Sequence, residues 1–131
     1  MPYIADMRKA TALQEANELV GNGQCVSFVH AVVFVPPASL WHRGALVMDD
    51  HSIQPGTVIA TFDDDGRYGN HTDHTSHAAI YLYQTTDGIE VLDQWKGSVA
   101  VRDHTPRQRT IHFHGYHQTK VNDGTQYHVV E

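Results

Sequence analysis

Gly23-Gln24-Cys25-Val26-Ser27-Phe28-Val29 is the stretch on which the reading of this chain turns. A glycine-containing loop runs straight into an apolar segment in which Val26, Val29, Val32 and Val33 recur at helical spacing. A helix is therefore expected from Gln24 or Cys25 to about Phe34, where Pro36-Pro37 stops it. Cys25 falls in its first turn. Backbone N–H groups there have no intrahelical partner, and the helix dipole favours negative charge. Both effects lower a thiol pKa, and the same N–H groups can hold a developing oxyanion. An isolated cysteine is more often an inert apolar residue, so the thiol needs partners before it means anything.

Upstream, a first helix is expected from Asp6 to Val20, with Leu13, Ala16, Leu19 and Val20 on its apolar side and Gly21-Asn22-Gly23 ending it. Downstream, from about residue 45, helical spacing gives way to alternation. Strands are expected over 57–62, 77–83, 89–94, 99–102, 110–116 and 126–130. Asp63-Asp64-Asp65-Gly66, Thr86-Asp87-Gly88 and Asn122-Asp123-Gly124 supply turns between them. Helices first and consecutive strands after predict an α+β fold, N-terminal helices packed on an antiparallel sheet, in one domain spanning residues 1–131.

Composition narrows the function. A formal net charge of −6 with scattered Lys and Arg argues against nucleic acid, which needs a clustered basic face; the tightest group, Arg102, Arg107 and Arg109, is interrupted by Asp103 and Pro106. The single cysteine makes no intramolecular disulfide, which suits a reducing compartment and leaves the thiol free. No apolar run approaches the ~20 residues of a membrane span, and Met1 to Ala10 lacks the apolar region of a secretory signal.

A partner for Cys25 is offered by His77, which opens the strand His77-Ala78-Ala79-Ile80-Tyr81-Leu82-Tyr83. Alternation groups His77 with Ala79, Tyr81 and Tyr83, and small Ala79 on that face would let a helix approach. An imidazole facing a helix start can take the thiol proton and form a thiolate–imidazolium pair. Such a base needs a third group to orient it. The hairpin through Thr86-Asp87-Gly88 returns either Asp93 or Gln94 to the level of His77; Asp93 is favoured because a carboxylate also stabilises imidazolium.

The order of these signals is familiar: a Gly-Gln-Cys helix start, then Gln54-Pro55-Gly56-Thr57-Val58-Ile59, then a Ser-His-Ala-Ala-Ile-Tyr strand. It resembles the papain-like NlpC-type and CHAP-type cell-wall peptidases, and more closely the amidase effectors of type VI secretion, best the third of their four families. The resemblance implies a peptidoglycan amidase without a cofactor, with Cys25 as nucleophile, His77 as base and Asp93 as the polar third residue. It implies cleavage of stem-peptide amides, with a lean toward the D-Ala–meso-diaminopimelate cross-link. It also implies delivery by a type VI apparatus into a recipient's periplasm, and an immunity protein covering the site, for which a basic plug would suit a −6 chain. The glutamine that papain uses as oxyanion donor has no counterpart, since Leu19 stands six residues before Cys25.

Other residues compete for attention. Gln24 beside the thiol, Arg67-Tyr68-Gly69-Asn70 before the base, and Trp41 are candidates for lining a substrate groove, Arg67 toward a stem carboxylate. Trp41 reads equally as a core aromatic. Eleven histidines raise a metal-dependent hydrolase as the alternative, through His71, His74 and His77 or through His112, His114 and His117. No His-Glu-x-x-His signature supports it, and solvated histidines are the expectation. A non-catalytic binding module on the same fold is the remaining alternative. Asp63-Asp64-Asp65-Gly66 lacks the spacing of a calcium loop and reads as a solvated turn.

Overall fold

The computed structural model describes residues 2–115 and 119–131; Tyr116, the end of one expected strand, and His117 lie outside them. Helix α1 runs Met7–Ala16, and α2 runs Cys25–Val32. Six strands follow: β1 Arg43–Leu46, β2 Val58–Thr61, β3 Ala78–Gln84, β4 Gly88–Trp95, β5 His104–His112 and β6 Tyr127–Val130. They form one antiparallel sheet in the order β1-β6-β2-β3-β4-β5, so the α+β expectation holds.

Helix α1 starts where Asp6 caps it, its carboxylate accepting from Arg8 N–H at 3.0 Å and Lys9 N–H at 3.3 Å. It stops four residues before the expected Val20, because Asn17 takes the left-handed conformation (φ 54°). Residues 17–24 are thereby released to form the approach to Cys25, and Gly21-Asn22-Gly23 belongs to that loop rather than to the end of α1. Helix α2 ends at Val32, slightly short of Phe34, as Val33 turns extended (φ −133°, ψ 134°). Helices below ~12–15 residues are marginal in isolation, so packing must hold α2. Phe28, Val29 and Val32 press on Val58, Ala60, Ala78, Ile80, Leu92 and Val130 of the sheet. Each such full burial is worth ~1.5–3 kcal/mol.

The second sheet face is also buried, with Ile59, Ala79, Tyr81, Ile89, Val91, Ile111, Tyr127 and Val129 meeting Val47 and Phe113. The faces correct one expectation. Ala78 packs with Cys25 and Phe28, whereas Ala79 lies on the other side, so Ala78 is the small residue that admits the helix.

Three further differences concern the strands. β1 was not expected; it pairs with the chain end, Arg43 opposite Val130. Residues 99–102 form no strand, only a turn closed by a bridge between Ser98 and Val101, with Val99 fully exposed. β5 begins at His104, six residues ahead of the expected start at Thr110. It tolerates Pro106 because it is an edge strand, paired with β4 alone, and because the ladder bulges there: Asp93 opposes Arg107 and Trp95 opposes His104, so Thr105 and Pro106 together face Gln94.

Candidate active site

Cys25 is the first residue of α2, and a short set of contacts fixes the loop that presents it. Gln24, the N-cap, is extended (φ −76°, ψ 158°) and offers no side-chain cap. Asn22 substitutes, its Oδ1 accepting from the Gln24 N–H at 2.9 Å and the Ser27 hydroxyl at 2.6 Å. Gly23 has φ +85°, and a Cβ there would come within 3.1 Å of Leu19 and 3.2 Å of the Lys96 side chain, so both conformation and space demand glycine. From β4, the fully buried Gln94 grips the same loop. Its Oε1 accepts from the Val20 N–H at 2.9 Å, and its Nε2 donates to the carbonyls of Val20 at 2.9 Å and Gln24 at 2.8 Å. Gln94 thus satisfies all of its buried polar atoms while holding the residue before the thiol.

The imidazole is held independently. His77 immediately precedes β3, and Thr61 fixes its backbone from both sides: its N–H donates to Thr61 Oγ1 at 3.0 Å, and its carbonyl accepts from the Thr61 N–H at 3.0 Å. His77 Nε2 donates to Asp93 Oδ2 at 2.7 Å, which leaves Nδ1 for the hydrogen bond with Cys25. Asp93, wholly buried, also accepts from His104 Nε2 at 2.9 Å and Arg109 Nε at 2.8 Å. Arg107 Nε donates to His104 Nδ1 at 3.1 Å, so the His104 proton sits on the nitrogen facing Asp93. Trp95 walls this network, stacked on His104 at 3.8 Å with the Arg109 guanidinium 4.8 Å over its ring.

These contacts set the charges. Burial opposes ionisation of Cys25, yet the charge and hydrogen bond of His77, the Tyr68 hydroxyl and the Ala78 N–H together lower its pKa to about 7. Burial likewise disfavours imidazolium, but the Cys25 thiolate and the Asp93 hydrogen bond raise His77 to about 9. For Asp93, burial is again the opposing influence; the hydrogen bonds from His104 and His77 and the charges of His77 and Arg109 hold its carboxyl well below the usual carboxylate range. Between pH 7 and 9 the arrangement is a thiolate–imidazolium pair braced by a carboxylate.

The structure brings Cys25, His77 and Asp93 together and turns Gln94 to the loop before Cys25, so of the two neighbours it is Asp93 that contacts His77. Tyr68 is buried with its Oη 3.6 Å from Cys25 Sγ. Trp41 does not line a groove. It is fully buried, donates from Nε1 to the Pro36 carbonyl at 2.8 Å and backs the Tyr68 ring at 5.1 Å, the core role that its size favours. Gln24, Arg67 and Asn70 are exposed; Arg67 bridges to His42, and Asn70 is left-handed (φ 52°). Among the described residues no group of three or more His, Cys, Asp or Glu is placed to hold a metal ion. His71 instead pairs with Asp63 at 2.8 Å.

Sequence reasoning missed His104, Arg109 and Trp95. Arg107 and Arg109 alternate as strand residues do, which was a usable signal, but His104 is five residues from Arg109 and strict alternation sends it to the other face. The bulge at Thr105-Pro106 resets that parity and lets both reach Asp93. Lys96, Arg102, Arg107 and Arg109 lie within 14 residues of one another, four of the chain's nine Lys and Arg, and the Lys96 stem rests on Gly23, two residues from the thiol.

A cysteine at a helix start, packed on an antiparallel sheet that supplies a histidine and its carboxylate, defines a papain-like fold. The family model described as Domesticated amidase effector 2 matches residues 6–130, and the chain belongs to that family. A type VI secretion amidase effector 2 protein of Salmonella typhi is 40% identical over 126 residues, 95% of this chain and 89% of that protein. A solved structure of a type 6 secretion amidase effector 2 superposes with a TM-score of 0.80 at 38% identity, covering 98% of this chain and 94% of the other. The matches carry the second effector family, not the third that the sequence resembled most.

Proposed function

We propose that the chain is a cysteine amidase that hydrolyses amide bonds of peptidoglycan, in stem peptides or cross-links, and that it acts as an antibacterial effector delivered by type VI secretion. The observation that carries this reading is the buried relay Cys25–His77–Asp93, in a chain whose relatives are amidase effectors. A helix-borne cysteine followed by a strand-borne histidine also supports placing it near the NlpC-type and CHAP-type wall peptidases.

In this mechanism the Cys25 thiolate attacks the scissile carbonyl carbon, and the carbonyl π pair moves to oxygen. As the tetrahedral intermediate collapses, the C–N bond breaks and His77 Nδ1 delivers its proton to the leaving amine. His77, now neutral, takes a proton from water, which attacks the thioester; collapse expels the thiolate and releases the acid, whose remaining proton passes to solvent, and the thiolate–imidazolium pair is restored. Asp93 keeps Nδ1 aimed at sulfur and stabilises each imidazolium stage.

The test is digestion of purified muropeptides with product masses read by mass spectrometry. The expected products gain one water per cleaved amide, and their masses name the bond. Cys25→Ala, verified as folded by circular dichroism, should yield none. Undigested muropeptides with the wild-type protein, or undiminished cleavage by Cys25→Ala, would sink the reading.

Delivery and protection belong to the same proposal. Export of the protein to the periplasm by an added secretory signal should lyse cells, and cytosolic expression should be tolerated. The cognate immunity protein should cover the Cys25–His77 cleft.

A further inference from the structure

A papain-like site ordinarily needs a side-chain donor beside the helix N–H groups to hold the oxyanion, and Leu19 at the matching position offers none. Tyr68 enters from the loop between β2 and β3. It is 5% exposed, and its hydroxyl has Cys25 Sγ as its partner at 3.6 Å. Its ring cannot drift: Trp41 packs at 5.1 Å and 53°, Phe62 edge-on at 6.5 Å. When Cys25 is a thiolate, sulfur has no proton to give, so Tyr68 must be the donor.

We propose that Tyr68 is a catalytic residue of the thiol mechanism argued above: its hydroxyl holds the thiolate at rest and turns to the substrate's carbonyl oxygen as the tetrahedral intermediate forms. The balance of charge drives the exchange. Attack converts a sulfur lone pair into the S–C bond, so the charge on Sγ disappears while the carbonyl π pair becomes a full charge on an oxygen two bonds away. The better acceptor is then that oxygen. Reaching it requires rotation about the phenol C–O bond and little movement of the packed ring. No proton leaves Tyr68; burial and the neighbouring thiolate keep the phenol protonated at any working pH, so it donates throughout and takes no part as an acid. Collapse of the intermediate to the thioester, and its later hydrolysis back to thiolate, return the hydroxyl to sulfur.

Tyr68→Phe removes one oxygen and keeps the ring. We expect kcat on muropeptides to fall ~10²-fold, with KM little changed, because an oxyanion donor acts only in the transition state. The loss should persist well above pH 7, where the thiolate is formed regardless. Alkylation by iodoacetamide, which builds no oxyanion, should reach its wild-type maximal rate there, with only its pH midpoint raised. A merely structural role would slow both reactions together, and that outcome overturns the proposal; so does an unchanged kcat. If Cys25→Ala is inactive while Tyr68→Phe keeps full kcat, only the role of Tyr68 falls and the thiol mechanism stands. The wild-type protein supplies a second measurement should the variant fold poorly: a crystal structure of its hemithioacetal with a peptide aldehyde. Tyr68 Oη within hydrogen-bonding reach of the adduct oxygen, about 2.8 Å, is the expected result. An adduct oxygen turned away from Tyr68 refutes it.

Discussion

Asp93 and Gln94 are consecutive on β4, both completely buried, and they serve opposite ends of the same site. Asp93 gathers three donors, two imidazoles and a guanidinium, and so fixes the His77 ring with charge. Gln94 makes three bonds as well, all to backbone atoms of Val20 and Gln24, and so fixes the approach to Cys25 with neutral amide geometry. The pleat of one strand separates the two tasks. Damage to the first should change protonation states, and damage to the second should change only positions.

On the proposed mechanism the largest effect should come from His77: His77→Ala would remove the group that accepts and returns the proton, and turnover should drop ~10⁴-fold or more in a muropeptide assay. A smaller loss would mean that another group supplies the proton.

Asp93→Asn should follow, with kcat down ~10²- to 10³-fold. It also leaves Arg109 without its buried counter-charge, a change that costs ~3–5 kcal/mol when one partner of a buried pair is removed; calorimetry should register a lower Tm. Because the folded protein holds this carboxyl below its ordinary value of 3.8, its stabilisation is present above that value and drains away as pH falls beneath it. The variant should therefore lose stability at neutral pH and have less left to lose in acid.

The thiolate–imidazolium pair makes a pH prediction. With the thiol lowered to about 7, a large share of Cys25 is ionised at pH 7, where an ordinary thiol of pKa ~8.5 is only a few per cent thiolate; iodoacetamide should label it severalfold faster on that account. Amidase activity should rise through pH 7 and decline as His77 loses its proton near 9. A labelling midpoint at the ordinary thiol value would break the pairing.

Gln94→Leu should have the mildest effect on catalysis, ~10-fold on kcat/KM, with the alkylation midpoint unmoved. It strands one N–H and two carbonyls, each a ~1–3 kcal/mol penalty if left buried and unpaired. A shifted midpoint would show that the two ends are not separable.

Much of this site was legible in the sequence for local reasons. A glycine loop before an apolar helical run placed Cys25 at a helix start, and a strand-opening histidine with a short hairpin behind it brought Asp93 within one residue of ambiguity. That ambiguity is intrinsic, since alternation says that Asp93 and Gln94 differ in face and not which face meets the base. The second tier was hidden. β5 is a polar edge strand containing proline, which looks like loop, and the bulge that swings His104 onto the side of Arg109 breaks the very alternation by which strands are read. The stop of α1 at Asn17 was equally obscure, because no glycine or proline marks it. Trp41 read equally as groove or core; what decides for the core is its packing on Tyr68 and the end of β6, contacts distant in sequence.

The lateral position of β5 has a consequence for how the molecule opens. Hydrogen-bonded on one side only, it can, like β1 at the opposite edge, fray without the rest unfolding, and its amides should exchange with deuterium sooner than those of β2 and β3. Each excursion carries Arg109 and His104 away from Asp93, while α2 and the thiol stay seated on the interior of the sheet. Fraying of this kind should weaken the brace on His77 before it disturbs the thiol.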